Sequence, residues 1–454
     1  MADVSAVASA KADVLVRGGT VVDPRGCYEA DVAIDDGRIA EIAPDLAAGR
    51  RDEIDARGLL VLPGVIDVHV HFNEPGRTAW EGAASGSAAL AAGGGTLFFD
   101  MPLNSTPCTV NGDAVDRKRA ALEASSITDF GLWGGLVPGS VGEMAEMAAR
   151  GVVGFKAFMC DSGLPEYPRA DEATLENGMR EAAALGLPVA VHAESDAIVR
   201  RLAQECSGPT AREFLASRPV RAETEAIDLA VRLAGRTGAK LHIVHVSSGA
   251  GVAVAAEGRA RGADVSIETC PHYLFFTGED LERLGVVAKC APPLRPAEDQ
   301  GQLWSALLDG AVDMVASDHS PSEPSLKIEG DFRRSWGGIA GVQSTLAVLF
   351  DRDRHRVSPE RIVALVSATP ARRFQIERKG TVAVGNDGDL VLVDPMAAHT
   401  LDAGRLHQRH KMSPYIGSEF RGTVRRTIRR GETIFLDGRI VAAATRGRYV
   451  RPHH

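Results

Sequence analysis

Residues 65–71 read VIDVHVH, an apolar strand-like run that ends in two histidines separated by one residue. Side chains two residues apart on a strand point to the same side, so both imidazoles could reach one ion. Seven further runs of this type follow, separated by stretches of helical character: TLFFD (96–100), DFGLWGGL (129–136), GFKAFM (154–159), LPVAVHAE (187–194), KLHIVHVSS (240–248), DVSIETCPHYL (264–274) and VDMVASDHS (312–320). Eight strands that alternate with helices predict an α/β fold, a parallel (β/α)8 TIM barrel.

Helical stretches long enough to cross back over such a sheet lie between these strands. The clearest are Trp80 to Ala92, Asp171 to Leu185, Arg221 to Thr237 and Gly338 to Phe350. Ala-rich stretches of helical character after strand-like runs are typical of helices on the faces of a parallel sheet. We therefore expect these helices to cover the outside of the barrel.

Both ends of the chain have a different pattern from the middle. Short alternating strands broken by Gly and Asp occur in VLVRGGTVVD (14–23) and DVAIDDGRIAEI (31–42), and again in GDLVLVD (388–394) and GTVRRTIRRGETIF (422–435). This pattern predicts hairpins. We expect residues 1–62 and 378–454 to form one small β-sandwich domain, and residues 63–377 to form the barrel.

Composition and charge exclude several classes of function. The chain has 454 residues, 44% hydrophobic and 24% charged, and a formal net charge of -9. An acidic chain has no general attraction for nucleic acid or for an anionic membrane, so a small-molecule substrate is the expected partner. The first residues lack a secretory signal pattern, and the six cysteines form no C-x-x-C pair, so we expect a cytoplasmic protein without disulfides.

Residues of the kind that bind metals recur at the ends of the predicted barrel strands. They are His69, His71, Lys156, His192, His245 and Asp318. Alone, each has an ordinary explanation, such as a hydrogen-bonded core histidine or a lysine whose ammonium reaches solvent. Reactive groups of TIM barrels lie at the carboxyl ends of the strands, so all six are expected at one mouth of the barrel. Together they predict a metal site.

The sequence around these residues resembles the cyclic amidohydrolases over nearly its whole length. The matching segments are PGVIDVHVHFNEPGRTAWEG (63–82), DMPLNSTP (100–107), GFKAFMCDSG (154–163), VHAES (191–195), LHIVHVSS (241–248), ETCPHYL (268–274), KCAPPLR (289–295), SDHSP (317–321), WGGIAGVQ (336–343) and RHKMSPYIG (409–417). EPGRTAWEG (74–82), WGGIAG (336–341) and RHKMSPYIG resemble the allantoinase branch more than the hydantoinase or dihydroorotase branches.

The resemblance implies a site with two divalent metal ions. His69, His71 and Asp318 would hold one ion and His192 and His245 the other, while Lys156, carboxylated by CO2 on its amine, would bridge them. Zinc is the expected metal, although histidine and carboxylate ligands also suit iron, manganese or cobalt. A hydroxide shared by two ions would attack the substrate carbonyl, with Asp318 as the general base and acid.

The same resemblance guides the expected substrate. Dihydroorotases of this type have an arginine where this chain has Asn73, and hydantoinases have a tyrosine where it has Asp161, so neither substrate class is favoured. Allantoin carries a ureido arm that needs hydrogen-bond partners. Four positions are candidates to supply them, although all four also have the composition of ordinary turns. These are Asn104, Ala291, Ser320 and Gly337.

The implied activity is therefore hydrolysis of the hydantoin ring of allantoin to allantoate in purine breakdown. A hydantoinase, dihydropyrimidinase or dihydroorotase activity is the alternative within the family. A non-catalytic scaffold, as in relatives that have lost metal ligands, is a further alternative, but here every ligand position is filled. The resemblance also implies a homotetramer.

Overall fold

The computed structural model describes residues 14–47, 52–351, 357–442 and 445–453. The first thirteen residues, which bear on the expected absence of a secretory signal, lie outside the described part of the chain. Within the described part, no helix combines the length and the apolar character that a membrane crossing requires.

Strands occur at both ends of the chain and alternate with helices between them. The strands are β1 (Val14–Asp23), β2 (Gly26–Asp35), β3 (Arg38–Ala43), β4 (Asp52–Asp55), β5 (Leu60–Pro63), β6 (Val65–Val70), β7 (Gly95–Asp100), β8 (Asp129–Leu132), β9 (Gly134–Gly135), β10 (Phe155–Phe158), β11 (Val189–His192), β12 (Leu241–Ile243), β13 (Val265–Thr269), β14 (Met314–Val315), β15 (Leu390–Thr400), β16 (Glu419–Arg429), β17 (Glu432–Leu436) and β18 (Arg439–Ile440). The helices are α1 (Ala83–Ala92), α2 (Gly112–Ser125), α3 (Met144–Ala149), α4 (Glu172–Ala184), α5 (Asp196–Glu205), α6 (Ala211–Ser217), α7 (Val220–Thr237), α8 (Gly249–Ala260), α9 (Pro271–Phe275), α10 (Gly278–Leu284), α11 (Ala297–Leu308), α12 (Thr345–Phe350), α13 (Pro359–Val363) and α14 (Thr369–Arg373).

The middle of the chain forms the predicted TIM barrel. Strands β6, β7 and β8 pair in parallel, as do β9 to β14, and β8 continues into β9 after one residue. If β8 and β9 are counted as one, the barrel has eight strands, and these coincide with the eight predicted runs. The last strand of the barrel joins the first through a parallel β-bridge between Val70 and His319. In this bridge, the His71 amide donates to the His319 carbonyl at 2.8 Å. This closure brings the ends of β6 and β14 together.

The two ends of the chain meet in one sheet. Its strand order is β18-β17-β16-β15-β5-β1-β2-β3, with β4 paired to β1, and β5 joins the amino-terminal strands to the carboxyl-terminal ones. Apolar side chains from both ends, including Val16, Ile34, Leu392 and Ile428, pack into one core. The small β domain is thus built as expected from both termini, and we propose the boundaries at residues 62 and 378.

Two of the predicted helices begin later in the chain than predicted. Helix α1 begins at Ala83 because Gly82 adopts a φ of 87°, which excludes Trp80 and Glu81 from the helix. Helix α12 begins only at Thr345, because Ile339 instead bridges to His319. Helices α4 and α7 lie within one residue of their predicted bounds, and α4 begins where the Asp171 side chain caps the Thr174 amide at 2.8 Å.

Candidate active site

A cavity of about 600 Å³ opens at the carboxyl ends of the barrel strands. Five of the six predicted ligands line it: His69, His71, His192, His245 and Asp318. The sixth, Lys156, lies on β10 and is fully buried. The closed barrel therefore gathers side chains that are up to 249 residues apart in sequence, from His69 to Asp318, as the barrel topology predicts.

Three of these side chains form a first cluster beside the closure between β6 and β14. Asp318 Oδ1 lies 3.3 Å from His69 Nε2 and 3.4 Å from His71 Nε2. Ligand atoms at about 2.0–2.1 Å from a tetrahedral zinc ion lie roughly 3.3–3.4 Å apart. The donor atoms and their spacing therefore fit one shared divalent cation.

The remaining two histidines form a second cluster on β11 and just after β12. His192 Nδ1 lies 3.1 Å from His245 Nε2, and the other ring nitrogen of His245 has no hydrogen-bond partner in the described chain. The two clusters adjoin, because the His69 and His245 ring centroids are 5.4 Å apart. Burial lowers the pKa of both His192 and His245, which favours the neutral imidazole that binds metals.

The Lys156 side chain ends in a buried amine that is suited to covalent modification. Its Nζ atom is buried and has no hydrogen-bond partner among the described residues. Burial lowers the pKa of Lys156 to about 8, which keeps a substantial neutral fraction near neutral pH. The same ammonium also contributes to the lowered pKa of His192 and His245, so it lies near the second cluster. A neutral, nucleophilic amine at this position is compatible with addition of CO2.

A carboxylate without a predicted role orients one histidine of the first cluster, His69. Glu268, fully buried on β13, accepts from His69 Nδ1 at 2.8 Å and from the His245 amide at 3.1 Å. Its other oxygen lies 3.0 Å from His242 Nε2. Burial raises the pKa of Glu268, but the facing His69 and His242 outweigh it and hold the pKa at about 2. The ionised carboxylate directs the Nε2 lone pair of His69 into the cavity.

A second carboxylate without a predicted role supports the other cluster. Glu194 Oε2 lies 2.8 Å from His192 Nε2 and is also bonded to Arg218. This contact leaves His192 Nδ1 facing His245. The sequence carried one signal for both carboxylates: each is an acidic residue at the end of an apolar strand, Glu268 within DVSIET and Glu194 two residues after His192.

Two predicted ligands occupy strained backbone conformations. His245 has a φ of 39° and Asp318 a φ of 43°, in the left-handed region that non-glycine residues rarely adopt. Such conformations cost about 1–3 kcal/mol each and persist where surrounding structure enforces them. The strain turns both side chains into the cavity just beyond the ends of β12 and β14.

All four predicted substrate-binding residues line the cavity. Asn104 also contacts a predicted metal ligand, because its Nδ2 lies 3.4 Å from His71 Nδ1. Its Oδ1 has no hydrogen-bond partner in the described chain. Ser320 and Gly337 belong to two segments that touch, since the Ser320 amide donates to the Ile339 carbonyl at 2.9 Å. Ala291 lies on a third segment of the wall.

Of the two residues that disfavoured other substrates, Asp161 lines the cavity and Asn73 does not. Asp161 lines the cavity, and its Oδ1 accepts from the Gly163 amide at 3.0 Å. Asn73 is buried and donates to the Pro321 carbonyl at 3.4 Å. No tyrosine of the described chain lines this cavity, and the nearby Tyr167 hydroxyl donates to the Lys156 carbonyl at 2.6 Å.

The three segments that favoured the allantoinase branch meet beside this cavity. The Trp80 and Trp336 rings pack edge to face with centroids 4.9 Å apart. The Arg409 amide donates to Glu81 Oε1 at 2.9 Å, and Ser413 Oγ donates to the Ala340 carbonyl at 2.7 Å. Because Trp336 itself lines the cavity, these segments build part of its wall.

A closed parallel barrel with paired metal-type clusters at its carboxyl mouth is the architecture of a metal-dependent hydrolase. Residues 60–434 match the model of the amidohydrolase family, and the chain belongs to this family. The protein is accordingly a hydrolase.

Its relatives make the likeness more specific. The chain is 58% identical to an allantoinase from Solibacter usitatus, with 97% of each chain covered. It is 56% identical to an allantoinase from Rubrobacter xylanophilus, covering 97% of this chain and 98% of that one. Among solved structures, it is similar to the L-hydantoinase (dihydropyrimidinase) from Arthrobacter aurescens, with a TM-score of 0.94, 33% identity, and coverage of 97% of this chain and 100% of that one.

Proposed function

We propose that this protein is an allantoinase, which hydrolyses the hydantoin ring of allantoin to allantoate in purine breakdown. The observation that carries the proposal is the convergence of five ligand-type side chains on one cavity, with the buried Lys156 near the second cluster, in a chain 58% identical to an allantoinase over nearly its full length. Purified protein supplied with divalent metal and bicarbonate should release allantoate from allantoin. Failure to turn over allantoin under these conditions would refute the assignment.

We assign two divalent ions to the two clusters, with zinc as the first expectation and iron, manganese or cobalt as alternatives. His69, His71 and Asp318 would hold one ion, and His192 and His245 the other. Lys156 would bridge them after its neutral amine adds to CO2, which forms a carbamate anion and releases one proton. The spacing of the donor atoms and the unpartnered Nζ of Lys156 support this arrangement.

Two such ions would lower the pKa of a water molecule and polarise the substrate carbonyl. The protein's part in the reaction centres on Asp318. Burial raises the pKa of this carboxyl, but His69 and His71 outweigh it and hold the pKa well below its usual range. Asp318 is therefore ionised and positioned to accept the proton of the attacking water and to pass it to the departing ring nitrogen.

The cavity wall would orient the ring against this proton carrier. The Ser320 hydroxyl and the Asn104 amide offer polar side-chain partners on the cavity wall, and Ala291 and Gly337 add backbone groups. A ring carrying a ureido arm has enough donors and acceptors to engage these groups. These polar groups suit the ureido arm of allantoin.

A hydantoinase or dihydropyrimidinase activity is the second candidate, and the TM-score of 0.94 with the Arthrobacter aurescens enzyme favours it. Parallel assays with allantoin, hydantoin, dihydrouracil and dihydroorotate separate the candidates. We expect allantoin to have the highest kcat/KM. A higher value for dihydrouracil would move the assignment to the second candidate.

The proposed location and assembly rest on the family resemblance. We propose a cytoplasmic homotetramer that acts on a small molecule and needs neither nucleic acid nor membrane. Light scattering of the purified protein should give about four times the chain mass of 48.0 kDa. A monomeric mass would refute the tetramer without affecting the proposed activity.

A further inference from the structure

Two lysines at the cavity wall, one buried and one half-buried, have no part in the proposed metal binding or proton transfer. Lys289 is 8% exposed and Lys327 is half-buried, and within the described chain neither ammonium forms an ion pair with a carboxylate. Lys289 Nζ instead lies 5.0 Å from the centroid of the Phe214 ring. Lysine is rarely buried without a charged partner, so the arrangement requires an explanation.

Both ammonium groups bind the backbone of one short segment, residues 335–338. Lys289 Nζ donates to the Ser335 carbonyl at 2.5 Å. Lys327 Nζ donates to the Trp336 carbonyl at 3.0 Å and to the Gly338 carbonyl at 2.7 Å. Three of the four carbonyl groups in this segment therefore accept a hydrogen bond from a lysine, and hydrogen bonds from charged donors are stronger than neutral ones.

This segment is part of the cavity wall and packs against the turn that carries Asp318. Its residues line the cavity together with Asp318 and Ser320. Gly338, with a φ of 144°, lies so close to this turn that a Cβ atom there would be 2.2 Å from the Ser320 carbonyl oxygen. A small displacement of the segment would therefore alter the space between the wall and Asp318.

The lysines are held in place at an energetic cost. Burial, followed by the nearby Arg218, lowers the pKa of Lys289 to about 8. Burial, followed by Lys289, lowers the pKa of Lys327 to about 7. Burial therefore disfavours both charged forms, and the hydrogen bonds to the backbone carbonyls partly offset this cost.

We propose that Lys289 and Lys327 are positioning residues that fix the 335–338 backbone against the turn that carries Asp318 and thereby set the affinity for the ureido-bearing ring. The inference rests on the proposed allantoinase function and deepens it. Lys327 does not line the cavity, and the Lys289 ammonium, although in the lining, is bonded to the Ser335 carbonyl. Their removal should weaken substrate binding and leave the metal clusters and the proton carrier intact.

The test compares Lys327→Met with Lys240→Met as a matched control. Lys240 also donates to a backbone carbonyl, that of Gly186 at 3.0 Å, but it precedes β12 and lies at the opposite end of the barrel. We expect Lys327→Met to raise KM for allantoin about tenfold, with kcat within about threefold of the wild-type value and the metal content unchanged. KM for unsubstituted hydantoin, which lacks the ureido arm, should rise less, and Lys327→Arg should recover part of the loss.

An unchanged KM in a folded Lys327→Met protein, or an equal rise in Lys240→Met, would overturn the positioning role. Should Lys327→Met fail to fold, Lys289→Met removes the bond to one carbonyl only and carries the same test. Failure of the wild-type protein to hydrolyse allantoin would instead refute the proposed function. The two failures are therefore distinguishable.

Discussion

Replacing Glu268 by glutamine should weaken metal binding although Glu268 touches no proposed ion. The carboxylate accepts the Nδ1 proton of His69 with one oxygen and contacts His242 Nε2 with the other. A glutamine has one oxygen, so its NH2 group must face one of the two rings. If it faces His69, the proton moves to Nε2 and the ring loses the lone pair that a metal requires.

The expected magnitude follows from this loss of orientation. Removing a group that orients a metal-bound histidine typically reduces metal affinity by about 10- to 100-fold, or roughly 1.4–2.8 kcal/mol. Glu268 is fully buried and accepts three hydrogen bonds, from His69, His242 and the His245 amide, so the upper half of this range is expected. The allantoin-hydrolysing activity should fall in parallel at limiting metal and recover in excess metal.

Competition with a chelator of known affinity measures the effect. Glu223→Gln is the matched control, because Glu223 is a buried carboxylate that accepts from Ser247 and Ser248 and contacts no proposed ligand. Both variants should lower the melting temperature, but only Glu268→Gln should lower metal affinity. Equal metal affinity in the two variants would refute the proposed role of Glu268.

Three further changes test the site. Asp318→Asn should lower kcat by about 10²–10⁴-fold because the proton carrier is lost, and an activity near wild type in steady-state assays would contradict that role. Lys156→Ala should lose bound metal and activity, and small carboxylic acids that replace the carbamate should restore part of both; absence of any rescue in the metal-loaded variant argues against the carbamate. Burial raises the pKa of Glu194, but Arg218 and His192 outweigh it and hold the pKa at about 2, below the unfolded value near 4.5. Its contribution to stability is therefore present above pH 4.5 and lost as the pH falls towards 2, so acid denaturation of the metal-free protein should be flatter in Glu194→Gln.

The barrel could be predicted from the sequence because its signal is repeated. Eight apolar runs of strand length recur with helical stretches between them, and each predicted run contains an observed strand. Helix starts were less predictable, since Gly82 and the bridge at Ile339 act through backbone conformation and long-range pairing that periodicity does not encode. Local pattern thus identified the elements, and tertiary contacts set their ends.

The gathering of the ligand-type residues could be predicted because five of them stand at strand ends, while Lys156 is a lysine within an apolar run. The supporting groups could not, because their function depends on what they face. Glu268 is one acidic residue within a strand, and only the closed barrel places it against His69 and His242. Lys289 and Lys327 likewise become informative only when their ammonium groups are seen on the carbonyls of one segment.

Anomalous X-ray diffraction from crystals of the metal-loaded protein tests the central claim most directly. The account predicts two peaks per chain, one at coordination distance from His69, His71 and Asp318 and the other from His192 and His245, with density from modified Lys156 between them. A single peak, or peaks away from these side chains, would contradict it.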